Sequence, residues 1–181
     1  MAFAVSGGLN VAHAQTLDSS KSAVTITFKQ MGVPVDAKFK KVAGQLTFDP
    51  ANTATAKATV DIDVASFDLG DPLYNQEVLK KEWFDAAKYP KATFTSTAIS
   101  PASNGRLDAS GKLTIKGRTL DVKVPVTMKT EAGASVFEGA LPIKRLAFNI
   151  GEGEWKDTSM VADEVIIKFK LVAPVGATTK K

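Results

Sequence analysis

The 181-residue sequence contains no cysteine and only one histidine, His13. The lack of cysteine excludes disulfide bonds, thiol nucleophiles and thiolate metal sites. The net charge is also small, because the 23 basic residues exceed the acidic residues by only four. No stretch approaches the ~18 uninterrupted apolar residues of a membrane-spanning helix. What remains is an ordinary globular composition, 44% hydrophobic and 23% charged, of a length that suits one domain.

The first fourteen residues differ from the rest, because they contain no Asp, Glu, Lys or Arg. Ala12-His13-Ala14 has the small residues that a signal peptidase reads. We therefore expect residues 1–14 to be the remnant of a secretory signal peptide whose start lies upstream; a polar N-terminus is the alternative. Cleavage after Ala14 would make 15–181 the mature domain and would place it in the periplasm.

Removal of His13 would leave a mature chain with neither histidine nor cysteine. That excludes Ser-His-Asp and Cys-His catalysis, histidine general bases, and the usual zinc and copper sites. We expect no catalytic residue, no metal and no cofactor.

Apolar and polar residues alternate with a period of two along most of the mature chain, which is typical of strands with one buried face. The alternation predicts about eight strands, represented by the segments 24–28, 46–48, 58–64, 92–95, 107–115, 120–127, 137–143 and 165–171. Lys116-Gly117-Arg118, between two of these runs, predicts a tight hairpin. The chain is therefore all-β.

One segment departs from this period and predicts a short helix between two strands. Asp71 is a favourable N-cap residue and Pro72 suits the first helical position. Apolar residues then recur four apart up to Trp83, and Glu77 and Lys81 form an expected i,i+4 ion pair. The helix should end at Tyr89-Pro90, since the residue before proline disfavours helical geometry.

Antiparallel strands with one apolar face can hide that face by closing into a barrel or by packing as a sandwich, and the alternation fits both. A barrel of eight strands is either filled by its own side chains or wide enough for one small ligand. Periodicity alone does not decide between a filled and a hollow interior.

Three stretches together resemble the YceI-like family of periplasmic polyisoprenoid-binding proteins: Ser66–Gly70 with Trp83-Phe84-Asp85 and Tyr89–Thr97, Gly111–Gly117 with Val122–Val126, and Ile143–Gly151 with Glu154-Trp155. The resemblance implies an extended lipocalin-like barrel with a helix near one end, a tunnel for a long apolar chain, and export to the periplasm. It implies an isoprenoid lipid such as ubiquinone or polyprenyl phosphate as ligand. The family pattern often has glycine at Asn149 and Arg-Asp at Asn75-Gln76.

The expected tunnel residues are large apolar side chains: Phe28, Phe39, Phe48, Phe67, Leu79, Trp83, Phe84, Phe94, Ile115, Phe148 and Trp155. The alternative is that these rings fill the core. Arg145 and Asn149 are the candidates for the lipid head group. Arg145 could instead pair with a local carboxylate, for which Glu154 and Asp157 are the candidates.

The predicted function is to bind and shelter an isoprenoid lipid, for transport or storage. Transient contact with a membrane and formation of a homodimer are possible partner interactions. The alternative is a filled barrel that acts through protein–protein contacts. An enzyme is disfavoured, because Asp61 and Asp63, like Glu152 and Glu154, lie two apart and would face the same way on a strand. Nucleic-acid binding is disfavoured by export and by the lack of an arginine-aromatic cluster.

Overall fold

The computed structural model describes residues 13–49 and 51–175. These residues form eleven strands: β1 Gln15–Thr16, β2 Ala23–Gln30, β3 Val33–Phe39, β4 Val42–Thr47, β5 Lys57–Asp63, β6 Phe67–Asp68, β7 Lys91–Pro101, β8 Arg106–Ile115, β9 Arg118–Glu131, β10 Ala134–Lys144 and β11 Val161–Pro174. One α-helix, α1, spans Pro72–Glu77, and short 3-10 turns span Thr53–Thr55, Val64–Ser66, Ser103–Gly105, Arg145–Phe148 and Gly153–Lys156. The all-β class with one short helix is confirmed. The predicted signal-peptide remnant lies outside the described residues, apart from positions 13 and 14.

All eleven strands belong to one strongly curled antiparallel sheet, with the order β1-β4-β5-β7-β8-β9-β10-β11-β2-β3-β6. Lys40 and Lys41 join β3 to β4, which lie near the two opposite ends of this strand order. The segment that leads from β5 to β6 pairs with both, since the Asp63 N–H donates to the Lys41 carbonyl and the Lys40 N–H donates to the Ser66 carbonyl. A single curled sheet confirms the expected lipocalin-like barrel and excludes a sandwich of two sheets.

Two-residue turns connect three of the hairpins, and each has a positive φ at both positions. Lys116-Gly117, with φ of 49° and 72°, is the hairpin that the sequence predicts. Met31-Gly32 and Ala132-Gly133 have the same geometry. Positive φ at both central residues matches the right-handed twist of the flanking strands, and glycine adopts it without steric cost. These turns therefore fix the register of the two strands in each of the three hairpins.

The segment after β6 begins as predicted but ends earlier. The Asp71 carboxylate accepts a hydrogen bond from the Leu73 N–H at 2.8 Å, as an N-cap should. The helix ends at Glu77, however, so the prediction that it continues to Tyr89 is wrong. Residues 78–89 form turns instead, in which the Phe84 N–H donates back to the Val78 carbonyl. The predicted Glu77–Lys81 ion pair is replaced by one between Glu77 and Lys80.

The physical reason for the early helix end is the packing of Phe84, which is partly buried against the core. Its ring lies 6.1 Å from the ring of Phe39 and 6.2 Å from that of Phe67. A helix continued through this segment would space its apolar residues along one stripe, whereas the turns bring Phe84 down onto the inner face of the sheet. Residues 71–89, called the cap segment below, therefore cover one end of the barrel.

Candidate functional site

The inner face of the barrel encloses a cavity of about 280 Å³, near the lower end of the range of ligand pockets. Its wall includes Phe48 and Phe137 at one end, where the two rings lie 5.5 Å apart. It includes Trp83 and Trp155 at the other end, with ring centroids 5.3 Å apart. The cavity thus extends along the strands between two aromatic pairs.

Nine of the eleven expected tunnel residues lie in the wall of this cavity: Phe28, Phe39, Phe48, Phe67, Trp83, Phe84, Phe94, Ile115 and Trp155. The other two do not. Phe148 is 1% exposed and packs with Leu113 and Ile150 in the core. Leu79 is half-buried in the cap segment, where its carbonyl accepts the N–H of Ala86. For these two residues the expectation of a cavity-lining role is wrong.

The sequence interpretation missed most of the aliphatic wall and three aromatic residues, Tyr74, Phe137 and Phe169. The missed lining residues include Val24, Ile26, Ile62, Ile99, Leu107, Leu113, Val124, Val126, Phe137, Leu141, Ile143, Val165, Ile167, Phe169 and Leu171. The signal was present, because the alternation already places almost all of these residues on the apolar face of their strands. The prediction of tunnel residues favoured large aromatic side chains and so left out the aliphatic residues on the same face.

Two inward-facing glycines give the wall its shape. A Cβ at Gly111 would lie 2.6 Å from the Phe94 ring, and a Cβ at Gly139 would lie 2.5 Å from the Phe169 ring. Glycine in a strand often marks such a close approach. Both rings also line the cavity. The two glycines therefore let Phe94 and Phe169 lie against the neighbouring strand rather than project across the interior.

Arg145 is 2% exposed, and its guanidinium is held by main-chain carbonyls. Nε donates to Ala162 at 3.0 Å, Nη1 to Ile150 at 2.8 Å and to Gly151 at 3.4 Å, and Nη2 to Trp155 and Val161 at 2.7 Å each. These bonds use all five N–H groups of the side chain.

This arrangement corrects both predictions for Arg145. Its hydrogen-bond partners are carbonyls rather than Glu154 or Asp157, and no N–H remains to hold a head group. Burial lowers the pKa of the guanidinium, and the Asp163 carboxylate opposes that effect. Arginine nonetheless stays protonated in proteins. Arg145 therefore holds the turns of residues 145–162 together beside the cavity.

Asn149, unlike Arg145, is not among the residues that line the cavity. It is exposed, it ends a 3-10 turn with a φ of 55°, and its side-chain oxygen accepts a hydrogen bond from Arg118 at 2.9 Å. Asparagine tolerates this left-handed geometry better than most residues, which explains its presence where relatives of the family have glycine. The expected head-group role of Asn149 stays a prediction.

Lys116 ties the cap segment to the barrel. Its side chain is 7% exposed, and Nζ donates to the carbonyls of Lys81 at 2.6 Å and Asn149 at 2.8 Å. It also forms an ion pair with Glu152 at 2.8 Å, and Lys116 lowers the pKa of that carboxyl. One lysine on the β8–β9 turn thus binds two other segments at this end of the cavity, the cap segment and residues 149–152.

The acidic pairs considered as catalytic candidates lie outside the cavity. Asp61 pairs with Lys91 at 3.4 Å and Asp63 with Lys41 at 3.5 Å. Glu152 pairs with Lys116, and Glu154 is exposed. Across residues 13–49 and 51–175, His, Cys, Asp and Glu side chains nowhere cluster as a metal site would require. In the same part of the chain, no helix is long and apolar enough to span a membrane.

Comparison with solved structures identifies close relatives of this architecture. BcnA from Burkholderia cenocepacia is 56% identical, with a TM-score of 0.84 over 87% of this chain and 99% of BcnA. A YceI protein from Campylobacter jejuni is 25% identical, with a TM-score of 0.70 over 77% of this chain and 84% of that protein. A polyisoprenoid binding domain from Saccharophagus degradans has a TM-score of 0.68 over 88% of this chain and 97% of that domain, and at 19% identity the likeness shows the fold alone.

Curated sequences give the same result. A UPF0312 protein from Vibrio cholerae is 31% identical over 111 residues, which are 60% of this chain and 59% of that protein. Protein YceI from Escherichia coli O157:H7 is 36% identical over 93 residues, 51% of this chain and 46% of that protein. This chain thus spans less than two thirds of the length of either relative. Residues 15–173 match the YceI-like domain, and the chain therefore belongs to the YceI-like family.

Proposed function

We propose that this protein binds one long-chain isoprenoid lipid inside the barrel and acts as a periplasmic carrier or store for it. The observation that carries the proposal is an apolar cavity that extends between the Phe48–Phe137 pair and the Trp83–Trp155 pair. An extended apolar cavity suits an extended apolar chain. The proposal is supported at the level of the family, since a domain with this fold from Saccharophagus degradans is described as polyisoprenoid binding.

The energetics favour a hydrocarbon ligand. Each methylene equivalent removed from water contributes about 0.8 kcal/mol, so a chain of several isoprene units gains substantially from transfer into such a wall. Among the described residues that line the cavity, only Glu77 and Arg145 carry a charge. The wall can therefore accept a long apolar chain without leaving many polar groups desolvated.

The alternative, a filled barrel that acts only through its surface, fits the geometry less well. The rings of Phe94 and Phe169 pack closely against Gly111 and Gly139, where a larger residue would leave no room for them. A barrel evolved only for stability gains more by filling that space, because unfilled volume forfeits packing contacts.

The periplasmic part of the proposal rests on Ala12-His13-Ala14 and on where the first described strand begins. β1 starts at Gln15, the first residue after the expected cleavage site, and the family match also starts at residue 15. The intact mass of protein recovered from a periplasmic fraction tests this point. We expect a mature chain that begins at Gln15; protein retained in the cytoplasm with residues 1–14 attached would contradict it.

Lipid mass spectrometry tests the binding itself. The protein is expressed with an export signal, purified without detergent, and measured by native mass spectrometry and after lipid extraction. We expect a nearly stoichiometric isoprenoid. A mass without ligand, together with no uptake of added ubiquinone or polyprenyl phosphate, would overturn the proposal.

Two variants on β2 provide a matched comparison. Ile26 lines the cavity, whereas its neighbour Thr25 lies on the opposite face of the strand. Ile26→Trp should obstruct the cavity and yield protein with little lipid. Thr25→Trp adds the same ring to the outer face and should retain the lipid. Equal lipid content in both folded variants would place the ligand outside the cavity.

A further inference from the structure

The turn between β2 and β3 leaves a group of apolar side chains uncovered at one end of the barrel. Met31 and Val33 are 76% and 62% exposed, and Met160, which precedes β11, is 43% exposed. The Met31 N–H donates to the Met160 carbonyl at 2.8 Å, so the two segments lie side by side. Single exposed apolar residues are ordinary, whereas a group of them marks a contact site. These three residues are called the hairpin tip below.

The hairpin tip continues directly from the wall of the cavity. Phe28 and Gln30, at the end of β2, line the cavity, and the tip begins at the next residue. Val161, the first residue of β11, lies opposite Gln30 and also lines the cavity. Whatever covers the hairpin tip therefore lies where the wall formed by these two strands ends.

The start of α1 lies towards the same end of the barrel. Strand β6 runs antiparallel to β3, with Asp68 opposite Lys38, so the chain leaves β6 in the direction of the first residues of β3. Leu73 and Tyr74 follow soon after and are exposed, and Tyr74 also lines the cavity. Two separate elements thus present exposed apolar side chains at this end.

The outer face of the three strands that meet at the tip is basic. The exposed charged residues of β2, β3 and β11 are two carboxylates, Asp36 and Glu164, and four lysines, Lys29, Lys38, Lys168 and Lys170. None of these four lysines forms an ion pair with a carboxylate in the part of the chain that the structure describes. This surface is called the basic face below.

The strands on another side of the barrel do not share this property. Each lysine of β8 and β9 forms an ion pair with a carboxylate: Lys112 with Asp121 at 2.9 Å, Lys123 with Asp108 at 2.8 Å, and Lys129 with Glu131 at 2.9 Å. The charge on those strands is largely neutralised within the protein. The unpaired positive charge of the basic face is instead available to an anionic partner.

We propose that the hairpin tip docks this protein on an anionic lipid bilayer, with the apolar side chains in the interfacial layer and the basic face drawn to the anionic head groups. Apolar side chains beside lysines are the combination by which proteins bind to the surface of such a bilayer. The inference goes beyond the proposed function, because it identifies the surface from which a lipid would enter or leave the cavity. A second copy of the chain fits less well, since a twofold contact would bring two basic faces together.

Flotation of the protein with vesicles tests the docking surface. One set of vesicles contains equal parts of phosphatidylethanolamine and phosphatidylglycerol, and the other contains phosphatidylcholine alone. We expect the wild type to bind the anionic vesicles more tightly, with a difference that shrinks at high salt because the charges are screened.

Aspartate substitutions at two matched turns test the apolar part. Met31→Asp should weaken binding to the anionic vesicles by about tenfold or more, because it removes apolar area and adds a negative charge. Ala132→Asp is the control, since Ala132 has the same place in the same type of turn at the other end of β11. It should bind as the wild type does. Both positions are exposed, so both variants should be as stable as the wild type in urea unfolding.

Two double substitutions of equal charge test the basic face. Lys168→Gln with Lys170→Gln should weaken binding to the anionic vesicles about threefold or more. Lys112→Gln with Lys123→Gln lowers the net charge by the same amount on β8 and β9 and should have a clearly smaller effect.

Three results would overturn the inference. The first is a wild type that binds neither kind of vesicle. The second is equal binding by Met31→Asp and Ala132→Asp, or an equal loss in the two double variants. The third is a wild-type dimer in sedimentation that Met31→Asp dissociates, without vesicle binding, which would assign the hairpin tip to a second copy.

Lipid extraction separates this inference from the proposed function. Met31 is not among the residues that line the cavity, so Met31→Asp should still carry the isoprenoid when it is made with an export signal. Vesicle binding by a wild type that contains no isoprenoid and takes up none would contradict the proposed function and support the docking surface. Isoprenoid in a wild type that binds no vesicles would do the reverse.

Discussion

Arg145→Met tests whether Arg145 has a structural role rather than a role in ligand binding. The substitution keeps an unbranched side chain but removes five donors from the carbonyls of Ile150, Gly151, Trp155, Val161 and Ala162. Each buried carbonyl left without a partner costs about 1–3 kcal/mol. The costs do not add fully, because a carbonyl can regain a partner from water or from a relaxed turn. We expect a net loss of about 3–5 kcal/mol, as for other buried charged networks that lose one member.

Urea unfolding followed by tryptophan fluorescence measures this loss, since Trp83 and Trp155 both lie beside Arg145. Delipidated protein must be used, because a bound ligand adds stability of its own. The corresponding fall in melting temperature is on the order of 10 °C for a chain of this size. Arg145→Lys should recover only part of the loss, because an ammonium has three donors and lacks the planar fork.

Arg106→Met provides the control, because Arg106 is exposed. Its effect should stay within about 0.5 kcal/mol, as is usual for surface substitutions. A loss below about 1 kcal/mol for Arg145→Met would refute the structural role. Full stability with loss of bound lipid would restore the head-group role that the hydrogen bonds contradict.

Three further predictions concern the barrel wall, the cap segment and the β3–β6 edge. Gly139→Ala should destabilise the protein by about 1–3 kcal/mol, because its Cβ would lie 2.5 Å from the Phe169 ring and 2.7 Å from the Pro125 carbonyl. Unchanged stability in urea unfolding would show that Phe169 moves freely. Lys116→Met should lower the free energy of unfolding by roughly 2–3 kcal/mol, since it removes the contacts of Lys116 with Lys81, Asn149 and Glu152. It should also increase hydrogen exchange in residues 78–89. Unchanged exchange there would contradict the role of Lys116 in holding the cap segment. The Lys40 ammonium, with the Gly70 and Asn75 N–H groups, holds the pKa of Asp68 far below its ordinary value. The ionised carboxylate therefore stabilises the fold at neutral pH. That contribution is lost as the pH falls below about 4, where the carboxylate of the unfolded chain becomes protonated. Asp68→Asn should therefore be less stable than the wild type at pH 7, with a difference that shrinks towards pH 2; a difference independent of pH would contradict this assignment.

The strands and one hairpin turn could be predicted from sequence because their signals are local. Alternation determines which face of each strand is apolar, and Lys116-Gly117 has a residue pair that suits a two-residue turn. Met31-Gly32 and Ala132-Gly133 form the same turn, and like Lys116-Gly117 they have no Asn or Asp before the glycine. They were missed because the first position in these turns is determined by the twist of the strands and carries little sequence signal.

The errors share a different cause, which is that tertiary contacts override local pattern. The spacing of apolar residues after Pro72 is compatible with a longer helix, but burial of Phe84 against Phe39 and Phe67 favours turns. Arg145 was assigned a carboxylate partner because sequence shows side chains and does not show where main-chain carbonyls converge. Whether the barrel is hollow was equally inaccessible, since an alternating face looks the same above a cavity and above a filled core.

The pairing of β2 with β11 has a consequence for how the barrel forms. Ser22, just before β2, accepts a hydrogen bond from the N–H of Val172 in β11, 150 positions away in sequence. Strands β2 and β11 pair directly with each other. Closure of the wall therefore waits until nearly the whole chain is available. Such non-local pairing makes folding slow, because the entropy of closing a long loop must be overcome before the contacts reward it. A chain with this topology therefore completes the interior of its barrel only after β11, its last strand, is available to pair with β2.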